Sequence, residues 1–185
     1  MRSDIQKLKA YNLFLAFDVE KNGYLDRADL DRLAGQLTEN QGRAVGSPLH
    51  TELLARLMTY WNQMVESLDN NKDNRISADE FLKFADKIMK NPQGPEGQSI
   101  LALCDVIFTM ADQDGSGALS LKEFTQCIRA YGGTDTAAAS AFWMMDRDKN
   151  GRISREEFQI FMRDVFQSRA LNDASALAFG PGSRK

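Results

Sequence analysis

The chain has 185 residues and a formal net charge of −3. That is room for one compact domain or two small lobes, and too mild a charge to argue for nucleic acid or a membrane surface as a partner. No apolar run reaches the length of a membrane span, no signal peptide is expected after Met1, and Arg2 in place of glycine excludes N-myristoylation. The two cysteines, Cys104 and Cys127, fall inside apolar helical patterns and read as reduced core residues.

Ser3 to Phe17 is predicted as a helix, with Ser3 and Gln6 as a capping box and Ile5, Leu8, Leu13, Phe14 and Phe17 at helical spacing. An acidic stretch follows, D-V-E-K-N-G-Y-L-D-R-A-D, from Asp18 to Asp29. A second helix runs from Asp26 through Leu37, with Leu30, Leu33 and Leu37 on one face, and Glu39 to Ser47 reads as a loop. Ser47-Pro48 fits an N-cap followed by proline at the first helical position, opening a long helix to Leu68. Its broad apolar face, Leu53, Leu54, Leu57, Met58, Trp61, Met64, Val65 and Leu68, reads as core rather than a cofactor box. His50, the single histidine, is expected on the surface.

A second acidic stretch, D-N-N-K-D-N-R-I-S-A-D-E, runs from Asp69 to Glu80 and is left by Phe81, Phe84, Ile88 and Met89. Lys90 to Gly97, with two prolines and two glycines, is the predicted linker between halves. Leu101, Cys104, Ile107, Phe108 and Ala111 lead into a third stretch, D-Q-D-G-S-G-A-L-S-L-K-E, from Asp112 to Glu123. Phe124, Cys127, Ile128 and Tyr131 continue from it; Gly132 and Gly133 stop the helix, and Thr134 caps the next. Phe142 and Met145 lead into the fourth, D-R-D-K-N-G-R-I-S-R-E-E, from Asp146 to Glu157, followed by Phe158, Phe161, Met162 and Val165.

The four stretches align as a repeat. Each is preceded by an apolar residue (Phe17, Leu68, Ala111, Met145) and followed by one (Leu30, Phe81, Phe124, Phe158), and position 8 is always apolar: Leu25, Ile76, Leu119, Ile153. This frame shares no chemistry with the oxygen-bearing positions, so it supports four helix–loop–helix units independently. In the fourth stretch, oxygens fall at positions 1, 3, 5, 9 and 12, as Asp146, Asp148, Asn150, Ser154 and Glu157, with Gly151 at the turn. The Arg152 carbonyl adds position 7, and Ser154 is expected to hold a water. A hard dication takes about six to eight oxygens, and this spacing with this glycine and terminal glutamate is an EF-hand calcium loop.

The same positions give Asp112, Asp114, Ser116, the Ala118 carbonyl, Ser120 and Glu123 in the third loop. The second offers Asp69, Asn71, Asp73, the Arg75 carbonyl, Ser77 and Glu80, with Asn74 at the turn, a residue that tolerates the left-handed conformation. The first offers Asp18, Glu20, Asn22, the Tyr24 carbonyl, Asp26 and Asp29. It departs twice: Glu20 is a methylene longer than aspartate, and Asp29 a methylene shorter than glutamate. Fewer oxygens suit magnesium, so a weak or magnesium-tolerant first site is expected. Thirteen carboxylates stand at these positions, and four bound dications take the formal charge from −3 to +5. Position 8 is expected to join loops one with two, and three with four, through a short antiparallel β contact.

The loop starts, at 18, 69, 112 and 146, are separated by 51, 43 and 34 residues. With these loops the chain resembles the sarcoplasmic calcium-binding proteins and their bacterial relative calerythrin. The resemblance implies an all-α fold of four hands in two pairs, over 1–89 and 98–170, joined by 90–97, with a tail over 171–185 that packs on the body through Leu171, Leu177 and Phe179. It implies a cytoplasmic calcium buffer, and a monomer is expected. The family's second hand is often degenerate, whereas this one keeps Asp69, Asn71, Asp73 and Glu80. Coelenterazine-binding photoproteins share the fold, but their pocket uses several histidines and this chain has one.

The alternative is a calcium sensor that opens an apolar groove for a partner protein. The eight methionines, Met1, Met58, Met64, Met89, Met110, Met144, Met145 and Met162, are its motive, though most fall in the core-facing frames. An enzyme is not expected: there is no nucleophile–base pair and no phosphate loop, and the acids are accounted for as ligands.

Overall fold

The structure, a computed structural model, describes residues 4–170 and 173–179, and of Leu177 and Phe179 the backbone alone. In chain order the elements are α1 (Asp4–Phe17), β1 (Tyr24–Leu25), α2 (Arg27–Asn40), α3 (Pro48–Leu68), β2 (Ile76–Ser77), α4 (Ala78–Lys90) and α5 (Pro95–Ala111). Then follow β3 (Ala118–Leu119), α6 (Leu121–Ala130), α7 (Asp135–Met145), β4 (Ile153–Ser154), α8 (Arg155–Gln167) and α9 (Ala174–Phe179). The fold is all-α apart from two antiparallel pairs of two-residue strands, and among the described residues no helix is long and apolar enough to cross a membrane.

Helix starts follow the capping chemistry of the sequence. Ser47 accepts from the His50 N–H with Pro48 behind it, and Thr134 accepts from the Ala137 N–H. The α6 helix stops at Gly132 with φ +78°, and a side chain at Gly133 would run into Ile128. Ser3, half of the predicted cap on α1, lies outside the described residues. Between the pairs, only Asn91 to Gly94 separates the helices, because Pro95, Glu96 and Gly97 form the first turn of α5. Proline at that position has no N–H to lose, so a stretch that looks like a linker begins a helix.

The strands pair as position 8 requires: Leu25 opposite Ile76 in one half, Leu119 opposite Ile153 in the other. All four are buried. Behind them the core is continuous across both halves. Leu13 and Phe17 of α1 reach a cavity whose other walls include Ile107, Cys127, Tyr131 and Phe158, and the Phe17 ring meets Tyr131 edge-on at 5.4 Å. The reciprocal bonds Asn40 Nδ2 to Gln126 O (3.1 Å) and Gln126 Nε2 to Asn40 O (2.7 Å) tie the end of α2 to α6. Cys104 and Cys127 are free, and burial pushes both thiols up to about 12.

Four side chains lie other than the sequence suggests. Leu8 is exposed, while Gln6 and Lys9 on the same helix are buried. His50 is buried rather than on the surface. The reversal on α1 has its cause in the tail. Gln6 Nε2 donates to the carbonyls of Phe166 and Gln167 at 3.1 Å each, capping the end of α8. Lys9 Nζ pairs with Asp173 at 2.5 Å, and Asp173 in turn accepts from the Ser175 hydroxyl and the Ala176 N–H at the start of α9. Helix α9 lies against α1, α7 and α8, with Ser175 and Ala178 buried. Leu171 and the side chains of Leu177 and Phe179, expected to cover a groove, lie outside the described residues.

The Lys9–Asp173 pair is testable. Burial disfavours the charge on Asp173, but the Lys9 ammonium and its hydroxyl and amide donors outweigh that and hold its pKa below the ordinary carboxylate value. A depressed pKa contributes stability above the unfolded-state value, and that contribution is lost as pH falls through the folded value. Lys9→Met is expected to cost about 2 kcal/mol at pH 7, with the difference from the parent shrinking below about pH 4. Urea unfolding midpoints at the two pH values measure it.

Candidate metal sites in the four loops

Each loop is wound around its first aspartate. Asp146 accepts from the N–H groups of Asn150 (3.0 Å) and Gly151 (2.8 Å), Asp112 from Ser116 (3.0 Å) and Gly117 (2.9 Å). Asp69 accepts from Lys72 (2.7 Å) and Asn74 (2.8 Å), and Asp18 from Asn22 (3.0 Å) and Gly23 (2.9 Å). Position 5 repeats the device on a smaller scale: the Asn150, Asp73 and Asn22 side chains accept from the N–H of position 7. These Asx-type bonds coil the backbone and aim the carboxylates inward.

The coil needs positive φ at two places. At the turn it is met by Gly23, Gly117 and Gly151, and by Asn74 at φ +59°. Position 4 is also left-handed, at Lys21 (+56°), Lys72 (+61°), Gly115 (+66°) and Lys149 (+59°). Lysine carries no preference for that region, so three of the four loops gave no compositional sign of it.

The serine at position 9 has a larger role than holding a water. Ser77, Ser120 and Ser154 are the N-caps of α4, α6 and α8, and Glu80, Glu123 and Glu157 are the third helical residues, in complete capping boxes. Each serine donates its hydroxyl to a glutamate Oε2 at 2.7–2.8 Å, and its N–H meets the same oxygen. The other oxygen, Oε1, reaches back across the loop to the N–H of position 2: Asn70 (3.0 Å), Gln113 (3.0 Å) or Arg147 (2.8 Å). Burial disfavours ionisation of Glu80 and Glu157, but these donors outweigh it and hold both pKa values below the ordinary range. All three glutamates are oriented by the loop's own bonds.

In the first loop the shorter Asp29 cannot make that reach. Its Oδ1 accepts from Glu20, at position 3, and its Oδ2 from Asp26, both at 3.0 Å. Burial raises its pKa above the ordinary carboxylate value despite these two bonds. The Glu20 carboxylate bonds instead to Arg32 of α2, at 2.6 Å.

The structure brings the expected acids together unevenly. Asp112, Asp114 and Glu123 offer oxygens within 4.8 Å of one another, as do Asp146, Asp148 and Glu157, and among the described residues no other three acids do so. In the second loop Asn71 replaces an acid, and its amide donates to Asp73 at 2.9 Å. The Tyr24 and Ala118 carbonyl positions lie on β1 and β3, while Arg75 and Arg152 directly precede β2 and β4. Asp146 and Glu157 are buried, and among the described residues neither forms an ion pair with a lysine or arginine. Buried like charges without a protein cation suit an external one.

The EF-hand domain pair family matches residues 7–86, 58–129 and 100–163. The sarcoplasmic calcium-binding protein beta chain of Penaeus sp. is 26% identical over 178 residues, covering 89% of this chain and 90% of the relative. Calerythrin of Saccharopolyspora erythraea is 22% identical, covering 82% and 86%. Among solved structures, an amphioxus sarcoplasmic calcium-binding protein superimposes with a TM-score of 0.75 at 20% identity, covering 98% of this chain and 99% of that one. The coelenterazine-binding protein of Renilla muelleri, calcium-loaded, gives 0.73 at 23% identity, covering 97% and 98%. Both likenesses establish the fold.

Ser154→Ala removes a cap and the hydroxyl bond to Glu157 together. It is expected to cost about 1 kcal/mol of stability with chelator present, read from urea unfolding.

Proposed function

The chain belongs to the EF-hand family, and on that premise we propose that it is an intracellular calcium buffer and signal modulator whose first site is weaker and magnesium-tolerant. The observation that carries ion binding is the convergence of three carboxylates in each of loops three and four. The residues assigned to hold the ions are those at loop positions 1, 3, 5, 7 and 12: Asp69, Asn71, Asp73, Arg75 and Glu80; Asp112, Asp114, Ser116, Ala118 and Glu123; Asp146, Asp148, Asn150, Arg152 and Glu157. In the first loop they are Asp18, Asn22, Tyr24 and Asp29, with Glu20 contributing when it is released from Arg32. A bound calcium ion supplies the two positive charges that offset the crowded carboxylates. The protein's part is to hold those oxygens in place, through the Asx bonds at position 1 and the capping box at position 12.

The shared core favours a buffer. The apolar faces that a sensor opens to a partner are here packed between the halves, Leu13 and Phe17 against Tyr131 and Phe158. A sensor is the second reading, favoured by Trp143 and Met144 on α7, which are 60% and 47% exposed. Catalysis is no part of the proposal, since the acids are absorbed by the loops and the one histidine is buried. A cytoplasmic monomer organised as two hand pairs completes the proposal, its location supported by the sarcoplasmic relative's name.

Two outcomes test this. Because calcium binds the folded chain, unfolding temperature is expected to rise by 10 °C or more on the order of magnitude between chelator and millimolar calcium, with no accompanying rise in fluorescence of an apolar probe. A large calcium-dependent probe signal would move the reading to a sensor. In the first loop, Asp29→Glu restores the longer reach and is expected to shift selectivity from magnesium toward calcium, by about tenfold, in calorimetric titrations with each metal.

A further inference from the structure

In the first loop one oxygen ligand is held by a cation of the chain itself. Glu20 stands at position 3, and its Oε1 accepts from Arg32 Nε at 2.6 Å. Arg32 lies on the exposed side of α2, three residues beyond Asp29, so one helical turn brings it beside the loop. Lys83, Gln126 and Ile160 occupy the same place in the other units. Lys83 faces a loop whose position 3 is the neutral Asn71; Gln126 is bonded to Gln113 and Asn40; Ile160 has no charge to offer. An arginine opposite a position-3 acid occurs in the first unit alone. The extra methylene of Glu20 now has a role, since it lets the carboxylate extend out of the loop to the helix.

We propose that Arg32 is an internal competitor for the first site and the residue that sets its metal preference. Its guanidinium withholds the Glu20 carboxylate from the loop, lowering the number of oxygens offered. A low count favours magnesium, which takes about six ligands at short range, over calcium, which takes up to about eight. Asp29, with its short reach, lowers the count from the other end. The inference rests on the reading of the loops as ion sites and adds which residue tunes one of them. Arg32 is 63% exposed and Glu20 27%, so the competition is that of a solvated pair, about two- to fivefold in affinity.

The test uses the full chain and Arg32→Gln, which keeps a good helix former on an exposed face. Arg27→Gln is the charge control: it removes one positive charge beside the same loop and leaves the Glu20–Arg32 pair in place. Calcium and magnesium are titrated separately while the amide resonances of Gly23, Gly117 and Gly151 are followed; each donates to the first aspartate of its own loop. Arg32→Gln is expected to tighten calcium binding at Gly23 by about two- to fivefold, more than Arg27→Gln does, and to raise the calcium-to-magnesium preference there. Gly117 and Gly151 are expected to titrate as in the parent. A Gly23 response in Arg32→Gln equal to that of the parent or of Arg27→Gln overturns the competition while leaving the ion sites standing. Absence of any response at Gly117 and Gly151 overturns the reading of the loops, and the competition with it.

Discussion

The carboxylate at the end of each loop must serve two structures at once. In loops two to four it caps a helix through the backbone N–H of the serine before it, and it closes the loop through an N–H ten residues earlier. One oxygen, Oε2, takes the serine N–H and hydroxyl, and the other, Oε1, takes the N–H of position 2 with acceptor capacity to spare. A glutamate has the length for this and the helix start supplies the donors. The ion site and the exit helix are thus one hydrogen-bonded object, and anything that alters the ligand alters the helix start as well.

That constraint explains why the first unit differs. With Asp29 the reach falls short of position 2, and the bond goes to the N–H of position 3. The residue whose N–H is taken is Glu20, and its side chain leaves the loop for Arg32. One missing methylene at the end of the loop and one extra at its third position are therefore compensating changes. Together they give a loop whose bonds are made within its own chain, although the two to Asp29 do not outweigh the burial that raises its pKa.

The loops, their pairing and the helix order were legible in the sequence because ligand spacing and apolar frame are both local and repeat four times. What was not legible depends on partners distant in the chain. Nothing near Lys9 marks it as buried; its partner Asp173 lies 164 residues away. The exposure of Leu8 follows from the same contact, since the tail claims the Gln6 and Lys9 side of α1. Nothing local to His50, a lone polar residue near a helix start, marks it as covered. The start of α5 at Pro95 is a different case: proline and glycine suggest a linker, but proline at the first position of a helix is the signal that also opens α3 at Pro48.

The same distant contacts bear on what calcium can do to this chain. A hand that opens must expose the apolar face it keeps closed, and here those faces are shared between halves. Leu13, Phe17, Tyr131 and Phe158 surround one junction, and Leu57, Tyr60 and Leu103 another. Separating either exposes several side chains at about 1.5–3 kcal/mol each, before the Asn40–Gln126 bonds and the tail are counted. Loops can be reordered by an ion at far smaller cost, because each is already coiled about its first aspartate. The energetic gradient therefore runs from ordering loops, which is cheap, to parting the halves, which is not. A partner met without any opening of the core would use apolar side chains that are already exposed, such as Trp143 and Met144 of α7.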